Sequence, residues 1–208
     1  MINFFNIIFG DIIIIINSYI IKILLKLKGI KVGKNFYISG VPKLKLNSTA
    51  SNISIGNNVK ILGDIDLRIR ENGKISFHDN VTIEENCRFV SARDGLISIG
   101  ENTKILSYTT INGGSDVLIG KNCLIGKNTS INSNSHLISK KMEIVNQGYN
   151  IAPVVIEDDC WTGINSVITM GVIIKKGSIV GANSLVNKST DEYSINVGLP
   201  STKKKFRE

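Results

Sequence analysis

Two histidines, His78 and His136, are the side chains of this chain best suited to acid–base chemistry near neutral pH. His136 immediately precedes a long insertion in an otherwise regular sequence repeat, whereas His78 has no long insertion beside it. This placement makes His136 a candidate general base, because an imidazole can accept the proton of a hydroxyl as that hydroxyl reacts. An exposed histidine without a role is the alternative for His136 and the preferred interpretation of His78.

The other side chains exclude several classes of function. The three cysteines all occupy a position of the sequence repeat that is usually small or apolar and is predicted to point inward. Buried free thiols are therefore expected at Cys87, Cys123 and Cys160. Free thiols are compatible with a reducing cytoplasm. No metal is predicted, since a catalytic zinc site needs about three protein ligands and the two histidines are far apart in the sequence. Few aromatic residues argue against nucleic acid. The net charge of +8 favours a phosphate-bearing ligand or an anionic membrane, or serves solubility alone.

The element that must position His136 is a repeat of six residues. An apolar residue recurs at every sixth position in seven groups of three, and Thr162 is the single polar exception among the twenty-one positions. A period of six matches neither a helix nor a lone strand, and it predicts a triangular β-solenoid of about seven coils. The positions are Val32, Ile38, Leu44; Ile55, Ile61, Leu67; Phe77, Ile83, Phe89; Ile99, Ile105, Ile111; Ile119, Ile125, Ile131; Ile156, Thr162, Ile168; and Ile174, Val180, Val186.

Extra residues occur only between one group of three and the next, so all insertions should leave the solenoid at one corner. Their successive lengths are five, four, four, two, nineteen and zero residues. Insertions in solenoids often collect on the binding face. The longest one, predicted as a loop over 137–155, begins directly after His136 and marks this corner as the working edge.

The repeat divides the chain into an N-terminal segment 1–29, a solenoid over 30–197 and a basic tail over 198–208. Residues 1–28 predict an amphipathic helix with a broad face rich in Ile and Phe. Three interpretations stay open: a helix packed on the solenoid end or on a partner subunit, a helix in peripheral contact with a membrane surface, and a spanning helix. Spanning is the weakest, because Asp11 interrupts the apolar run.

Several hexads resemble those of the hexapeptide-repeat acyltransferases. They are residues 119–124 and 125–130, the stretch 152–163, the hexad that begins at Gly181 and the closing Gly198-Leu199-Pro200. Within that family the chain most resembles bacterial O-acetyltransferases of capsular polysaccharide and other surface glycans. The resemblance implies an all-β fold, a left-handed parallel β-helix with an N-terminal helix; the handedness comes from the resemblance, since the period of six does not show it.

The same resemblance implies a homotrimer that binds acetyl-CoA in the groove between neighbouring solenoids. An acetyl group would pass from acetyl-CoA to a sugar hydroxyl of a polysaccharide or lipid-linked glycan at the cytoplasmic side. A lipid-linked acceptor would give the N-terminal helix a reason to lie on the inner face of the plasma membrane. His136 stands where the family carries its catalytic histidine. The group that orients its imidazole is open, because Asn134 and Ser135 replace the Asp or second His of many relatives.

The remaining site residues also come from the resemblance. Asn112, Asn134 and Trp161 are expected at the acceptor. The expected contacts of acetyl-CoA are Trp161, Gly163, Gly181, Ala182, Lys188 and Lys203. Turn and corner geometry, interface packing and a solvated basic tail are the competing explanations for these residues.

Two other functions use the same solenoid. A nucleotide-sugar N-acetyltransferase differs only in acceptor chemistry, and a noncatalytic scaffold would use the solenoid for assembly. His136 beside the long insertion argues against the scaffold, which has no need of that residue there.

Overall fold

The computed structural model describes Gly10 and residues 12–208, and it confirms the all-β, left-handed parallel β-helix with one N-terminal helix. Helix α1 spans Ile12–Leu27. Three sheets, called sides A, B and C, form the three faces of the prism. Predictions for the N-terminal segment that fall on residues 1–9 and 11 lie outside the described residues.

Each coil contributes one strand to each side, and neighbouring strands of a side are hydrogen-bonded along the stack. Side A contains β1 (Lys31–Val32), β4 (Ile53–Ile55), β7 (Lys74–Phe77), β10 (Leu96–Ile99), β13 (Val117–Ile119), β18 (Val154–Ile156) and β21 (Ile173–Ile174). Side B contains β2 (Tyr37–Ile38), β5 (Lys60–Leu62), β8 (Thr82–Glu84), β11 (Lys104–Ile105), β14 (Leu124–Ile125), β19 (Trp161–Thr162), β22 (Ile179–Val180), β24 (Ser194–Val197) and β25 (Thr202–Phe206). Side C contains β3 (Pro42–Leu46), β6 (Ile65–Ile69), β9 (Cys87–Ser91), β12 (Thr110–Gly113), β15 (Ser130–Asn132), β20 (Val167–Ile168) and β23 (Leu185–Val186).

The apolar residues of the repeat stack directly on one another inside the prism. On side A, Ile99 pairs with Phe77 of the preceding coil and Ile119 of the following one. All three are almost fully buried. The Phe77 and Phe89 rings meet edge to face inside the same coil, with centroids 5.1 Å apart. In-register parallel pairing therefore converts the period of six into one continuous core.

Asparagines with left-handed backbone form ladders along two of the three corners. Asn58 and Asn165 have φ of 56° and 58°, a conformation that asparagine tolerates better than most residues. The amide of Asn58 donates to Asn80 at 3.0 Å, and that of Asn165 donates to Asn183 at 3.2 Å. At each of these two corners, successive coils make the same kind of turn, so the asparagine side chains lie one above another.

The third corner, between sides C and A, carries all the insertions, as predicted. The connecting segments are 47–52, 70–73, 92–95, 114–116, 133–153 and 169–172. Within the described residues, asparagine side chains at this corner bond from coil to coil only in the early turns, where Asn72 donates to Asp94 at 3.0 Å, and the turns have different lengths. The irregular corner is therefore where the fold leaves room for function.

Both ends of the solenoid are covered. Ser18 of α1 accepts a hydrogen bond from the backbone N–H of Ile38 at 2.8 Å, on the free edge of β2. At the other end β25 pairs antiparallel with β24, so much of the predicted basic tail is a strand. Within the described residues, no helix combines the length and the hydropathy that crossing a membrane requires. The contact of α1 with the free edge of β2 removes a template for unwanted strand pairing.

Native thiols should not react. All three cysteines are free and buried, and burial raises the pKa of the Cys87 thiol to about 12, so the reactive thiolate is scarce at pH 8. We expect negligible reaction with Ellman's reagent in native protein and three reactive thiols in urea. Ser51→Cys, on an exposed turn, should add one fast thiol as the control. Rapid reaction of three thiols in the folded wild type would contradict the burial.

Thr162 illustrates a polar residue in a core position. Its side chain is fully buried, and Oγ1 accepts the backbone N–H of Gly126 at 3.0 Å. This hydrogen bond gives the one polar position of the repeat a backbone partner. It also explains how a hydroxyl is tolerated inside the prism, where an unpaired polar group would be costly.

Thr162→Val should lower the free energy of unfolding by about 1–3 kcal/mol, because the Gly126 N–H would be left buried without an acceptor. Urea-induced unfolding followed by circular dichroism measures the change. Thr82→Val is the matched control on an outward position of β8, where we expect less than about 0.5 kcal/mol. Equal effects of the two substitutions would refute this account of Thr162.

Candidate active site

His136 lies on a β-hairpin that projects from the irregular corner. Strand β16 (Asn134–His136) pairs antiparallel with β17 (Tyr149–Ile151), and His136 stands opposite Tyr149. Their ring centroids are 4.6 Å apart at an interplanar angle of 43°. The insertion thus begins as a hairpin at Asn134, three residues before the predicted loop, and returns to the solenoid at Val154.

The tip of the insertion is held by the side chain of Gln147. Its Oε1 accepts the backbone N–H of Ser139 at 2.7 Å, and its Nε2 donates to the carbonyls of Ser139 and Met142. Apolar side chains at the tip are nevertheless exposed in the single chain, including Ile138 and Val145. The insertion is therefore an ordered arm whose apolar tip extends away from its own solenoid.

Arg93 connects this arm to the body of the solenoid. Its guanidinium carbon lies 5.4 Å from the centroid of the Tyr149 ring, within cation–π range. Arg93 also has φ of 57°, an unfavourable conformation for a long side chain without a local amide. Tyr149 thus contacts both His136 and Arg93, and these three side chains, called the stack below, connect the imidazole to the corner.

A cleft of about 550 Å³ lies beside this stack. It is open to solvent and mostly polar, which suits a hydroxyl-rich ligand. Arg93 belongs to both the stack and the cleft, so a ligand in the cleft would lie next to the arm. The lining residues are Glu71, Asn72, Arg93, Asp94, Gly95, Gly114, Ser115, Asp116 and Ile151.

Two of the predicted acceptor residues lie together at the foot of the arm. Asn112 and Asn134 line a second cavity of about 250 Å³, together with Arg70 and Arg88. The amide of Asn112 donates to Asn132 Oδ1 at 2.8 Å, which holds it on the outer surface of side C. The structure therefore brings Asn112, Asn134 and the arm that carries His136 to one corner.

Trp161 and the predicted donor-side glycines lie elsewhere in the same chain. Trp161 is 47% exposed on side B and belongs to an apolar row that runs up the outer surface through Leu124, Ile179 and Ile195. Gly163 follows Trp161 at the corner between sides B and C. A single chain therefore separates the Trp161 side of the predicted site from the His136 corner.

Coil packing alone already requires the glycines. A Cβ on Gly163 would overlap the backbone of Ala182 in the next coil, and one on Gly181 would lie 2.5 Å from the Val197 side chain. These contacts support the corner-geometry explanation that the sequence left open. Binding of a ligand arm by the same backbone is compatible with it.

The two lysines predicted to contact coenzyme A differ in their surroundings. Lys203 Nζ lies 2.6 Å from Asp191 Oδ2 and 4.6 Å from the Phe206 ring centroid. Its hydrogen bond lowers the pKa of the Asp191 carboxyl. Lys188 is exposed. A phosphate at Lys203 would have to compete with Asp191, whereas Lys188 is accessible.

His78 is exposed at another corner, as predicted, with Nε2 3.1 Å from Ser98 Oγ. In the part of the chain that the structure describes, no hydrogen bond reaches the His136 imidazole, and no group of three or more potential ligands is placed to hold a metal ion. Tyr149 and Arg93 are the residues that sequence reasoning missed. The sequence could have indicated Arg93, because this residue lies in an earlier insertion at the same corner as His136.

The comparisons with known proteins agree with this geometry. A family model described as the hexapeptide repeat of succinyl-transferase matches residues 116–133 and 153–188. A putative lipopolysaccharide biosynthesis O-acetyl transferase of Escherichia coli, WbbJ, is 31% identical over 64% of this chain and 71% of its own length. The dTDP-4-amino-4,6-dideoxy-D-glucose acyltransferase of Escherichia coli is 32% identical over 88% of this chain and 85% of its own length.

Among solved structures, a variant of AntD, an N-acyltransferase from Bacillus cereus in complex with dTDP and coenzyme A, has a TM-score of 0.64. It is 26% identical, and the match covers 88% of each chain. The fold and these similarities define the protein as an acyltransferase built on a β-solenoid. The chain belongs to the hexapeptide-repeat acyltransferase family.

Tyr149→Ala should lower kcat for acyl transfer by roughly tenfold, because the His136 imidazole loses the ring that holds it in place. Tyr149→Phe keeps the ring and should retain most activity. The measurement is thiol release from acetyl-CoA, with KM for the donor expected to change little. Equal loss in both variants would assign the effect to the hydroxyl rather than to the stacking.

Proposed function

We propose that the protein is an acetyl-CoA-dependent O-acetyltransferase that acts on a sugar hydroxyl of a capsular or other surface polysaccharide. The observation that carries the proposal is the position of His136 on an ordered arm beside a polar cleft. A sugar hydroxyl is a poor nucleophile at neutral pH, so a base within hydrogen-bond reach is needed. Among the described residues of this corner, His136 is the imidazole that can serve.

The chain's contribution to the reaction is proton transfer and orientation. Bound acetyl-CoA would supply an acyl group activated as a thioester. His136 takes the proton of the acceptor hydroxyl as its oxygen forms a bond to the acyl carbon, and it returns a proton to the sulfur as the carbon–sulfur bond breaks. Tyr149 and Arg93 keep the imidazole in place throughout.

A homotrimer with sites between subunits would complete this arrangement. The His136 corner and the Trp161 row lie on different parts of one chain, so a neighbouring copy would have to bring the second half. The exposed apolar tip of the arm and the partly exposed apolar row, in which Trp161 is the exposed member, both favour contact with another subunit. In such an assembly Trp161 and Lys188 would face acetyl-CoA, and Asn112 and Asn134 the acceptor.

The enzyme would work at the cytoplasmic side, with a polysaccharide or a lipid-linked glycan as acceptor. Its buried free thiols are compatible with a reducing compartment. The similarity to WbbJ supports a surface glycan, because that relative is described as a lipopolysaccharide biosynthesis O-acetyl transferase.

Nucleotide-sugar N-acylation is the second candidate. It is favoured by the similarity to a dTDP-amino-sugar acyltransferase, which extends over 184 residues, more of this chain than the match to WbbJ. An amino sugar differs at the reacting atom: its amine is a stronger nucleophile than a hydroxyl once it is deprotonated. The two functions therefore predict different products from one site.

The first test is acceptor-dependent thiol release from acetyl-CoA, with surface glycans and a dTDP-amino sugar as separate acceptors. We expect release with a glycan and an acetyl ester in the product that hydroxylamine removes. His136→Ala should reduce the rate at least about a hundredfold. His78→Ala is the matched control, an exposed histidine on another corner, and should leave the rate unchanged.

A hydroxylamine-stable amide formed from the dTDP-amino sugar would replace the first function with the second. Full activity of His136→Ala would remove this residue from the mechanism. Absence of release with every acceptor would count against both candidates and favour the scaffold.

A further inference from the structure

Helix α1 exposes apolar side chains on the face that points away from the solenoid. Tyr19 and Leu27 are 67% and 79% exposed, and the other members of this face are between 41% and 64% exposed. A helix that is apolar on all sides is normally covered on all sides. The outer face consists of Ile12, Ile15, Ile16, Tyr19, Ile20, Ile23, Leu24 and Leu27.

The uncharged polar residues Asn17 and Ser18 form hydrogen bonds with the solenoid on the opposite face of the helix. Asn17 donates to the carbonyls of Ile38 and Gly40, both at 3.2 Å, and Ser18 accepts the N–H of Ile38. The sequence predicted a polar stripe and a broad apolar face; the structure turns Asn17 inward and leaves the larger apolar face outside. The helix is therefore attached to the solenoid partly by its polar atoms, and its apolar side chains are free for another contact.

These same hydrogen bonds fix the direction of the outer face. Hydrogen bonds between strands of a solenoid run along its long axis, from coil to coil. Ile38 uses its N–H and carbonyl toward α1, while its neighbours Tyr37 and Ser39 donate to the second coil. The helix therefore lies beyond the first coil along that axis, and its outer face looks outward from the end of the solenoid.

Positive charge is concentrated in the helix and in the first coil. Residues 12–46, which form the helix and the first coil, contain seven lysines and no acidic residue. Among the described residues, every ion pair involves residues from Asp66 onward. None of these lysines therefore has a carboxylate within ion-pair distance. The lysines are Lys22, Lys26, Lys28, Lys31, Lys34, Lys43 and Lys45.

We propose that this end of the solenoid binds an anionic lipid bilayer, with the outer face of α1 buried in the interface and the lysines at the headgroups. A helix with apolar residues on one side and lysines around them is suited to this location. Sixteen residues span about 24 Å, less than the roughly 30 Å of a bilayer core, which favours lying in the surface over crossing it.

A second copy fits the same face less well. Symmetric packing of two α1 helices would add a second Lys22 and a second Lys26 to the same end of the assembly, and the helix offers no acidic side chain to pair with them. Phosphate headgroups supply the missing negative charge. Charge complementarity therefore selects the bilayer as the occupant.

End-on binding also sets the height of the active corner. His136 follows the fifth coil, four steps above the first, and coils are spaced by about 4.8 Å, so the corner lies roughly 19 Å above the first coil. An acceptor attached to the same membrane would have to present its reacting sugar at about that distance. Membrane binding itself does not depend on acetyl transfer and is tested without it.

The test is co-sedimentation of the full-length chain with vesicles of phosphatidylcholine containing about one third phosphatidylglycerol, and with phosphatidylcholine alone. We expect the wild type to pellet with the anionic vesicles and much less with the neutral ones. Ile16→Glu, at a site 53% exposed on the outer face, should reduce the bound fraction at least about tenfold. Leu62→Glu is the matched control, since it makes the same charge change at a 42% exposed position on β5.

Circular dichroism and thermal unfolding would verify that both variants fold like the wild type. Folded wild type that stays in the supernatant with anionic vesicles would overturn the proposal, as would equal binding of Ile16→Glu and wild type. Light scattering identifies the competing occupant: loss of assembly in Ile16→Glu alone, without vesicle binding by the wild type, would assign the face to a second copy.

Discussion

The whole structure depends on parallel strands stacking in register at a constant spacing. Each inward residue must fit between the inward residues of the coils before and after it, as Ile99 does between Phe77 and Ile119. The backbone hydrogen bonds are made only if successive coils have the same path. This constraint fixes two corners as repeated asparagine turns and leaves freedom only at the third.

The free corner is where we propose that the chemistry takes place, and it is also the place where residues can be added without breaking the stack. Successive insertions there bring Arg93, Asp116 and the arm of His136 side by side although they are far apart in sequence. The regular faces serve another purpose. On side B the outward column changes from Tyr37, Lys60, Thr82 and Lys104 in the early coils to the apolar row through Trp161 in the late coils, which suits the subunit contact that we propose.

A stack of strands also has two open ends, and the chain covers them differently. The last coil is covered by β25, which folds back and is held by Lys203 and Arg207 through ion pairs with Asp191 and Asp159. The first coil is covered by α1, whose polar atoms bond the free strand edge. Because these atoms face inward, a broad apolar face of the helix points outward and forms the surface that we propose for binding a bilayer.

The sequence by itself determined the number of coils, the inward residues, the corner that carries the insertions and the histidine beside the longest one, because each follows from a strict period or from a break in it. It also predicted the burial of the cysteines. Only the tertiary structure decided that Tyr149 contacts both His136 and Arg93, that Lys203 pairs with Asp191, and that Asn17 and Ser18 face the solenoid. These contacts join residues from different coils or elements at irregular spacings, so no local pattern encodes them.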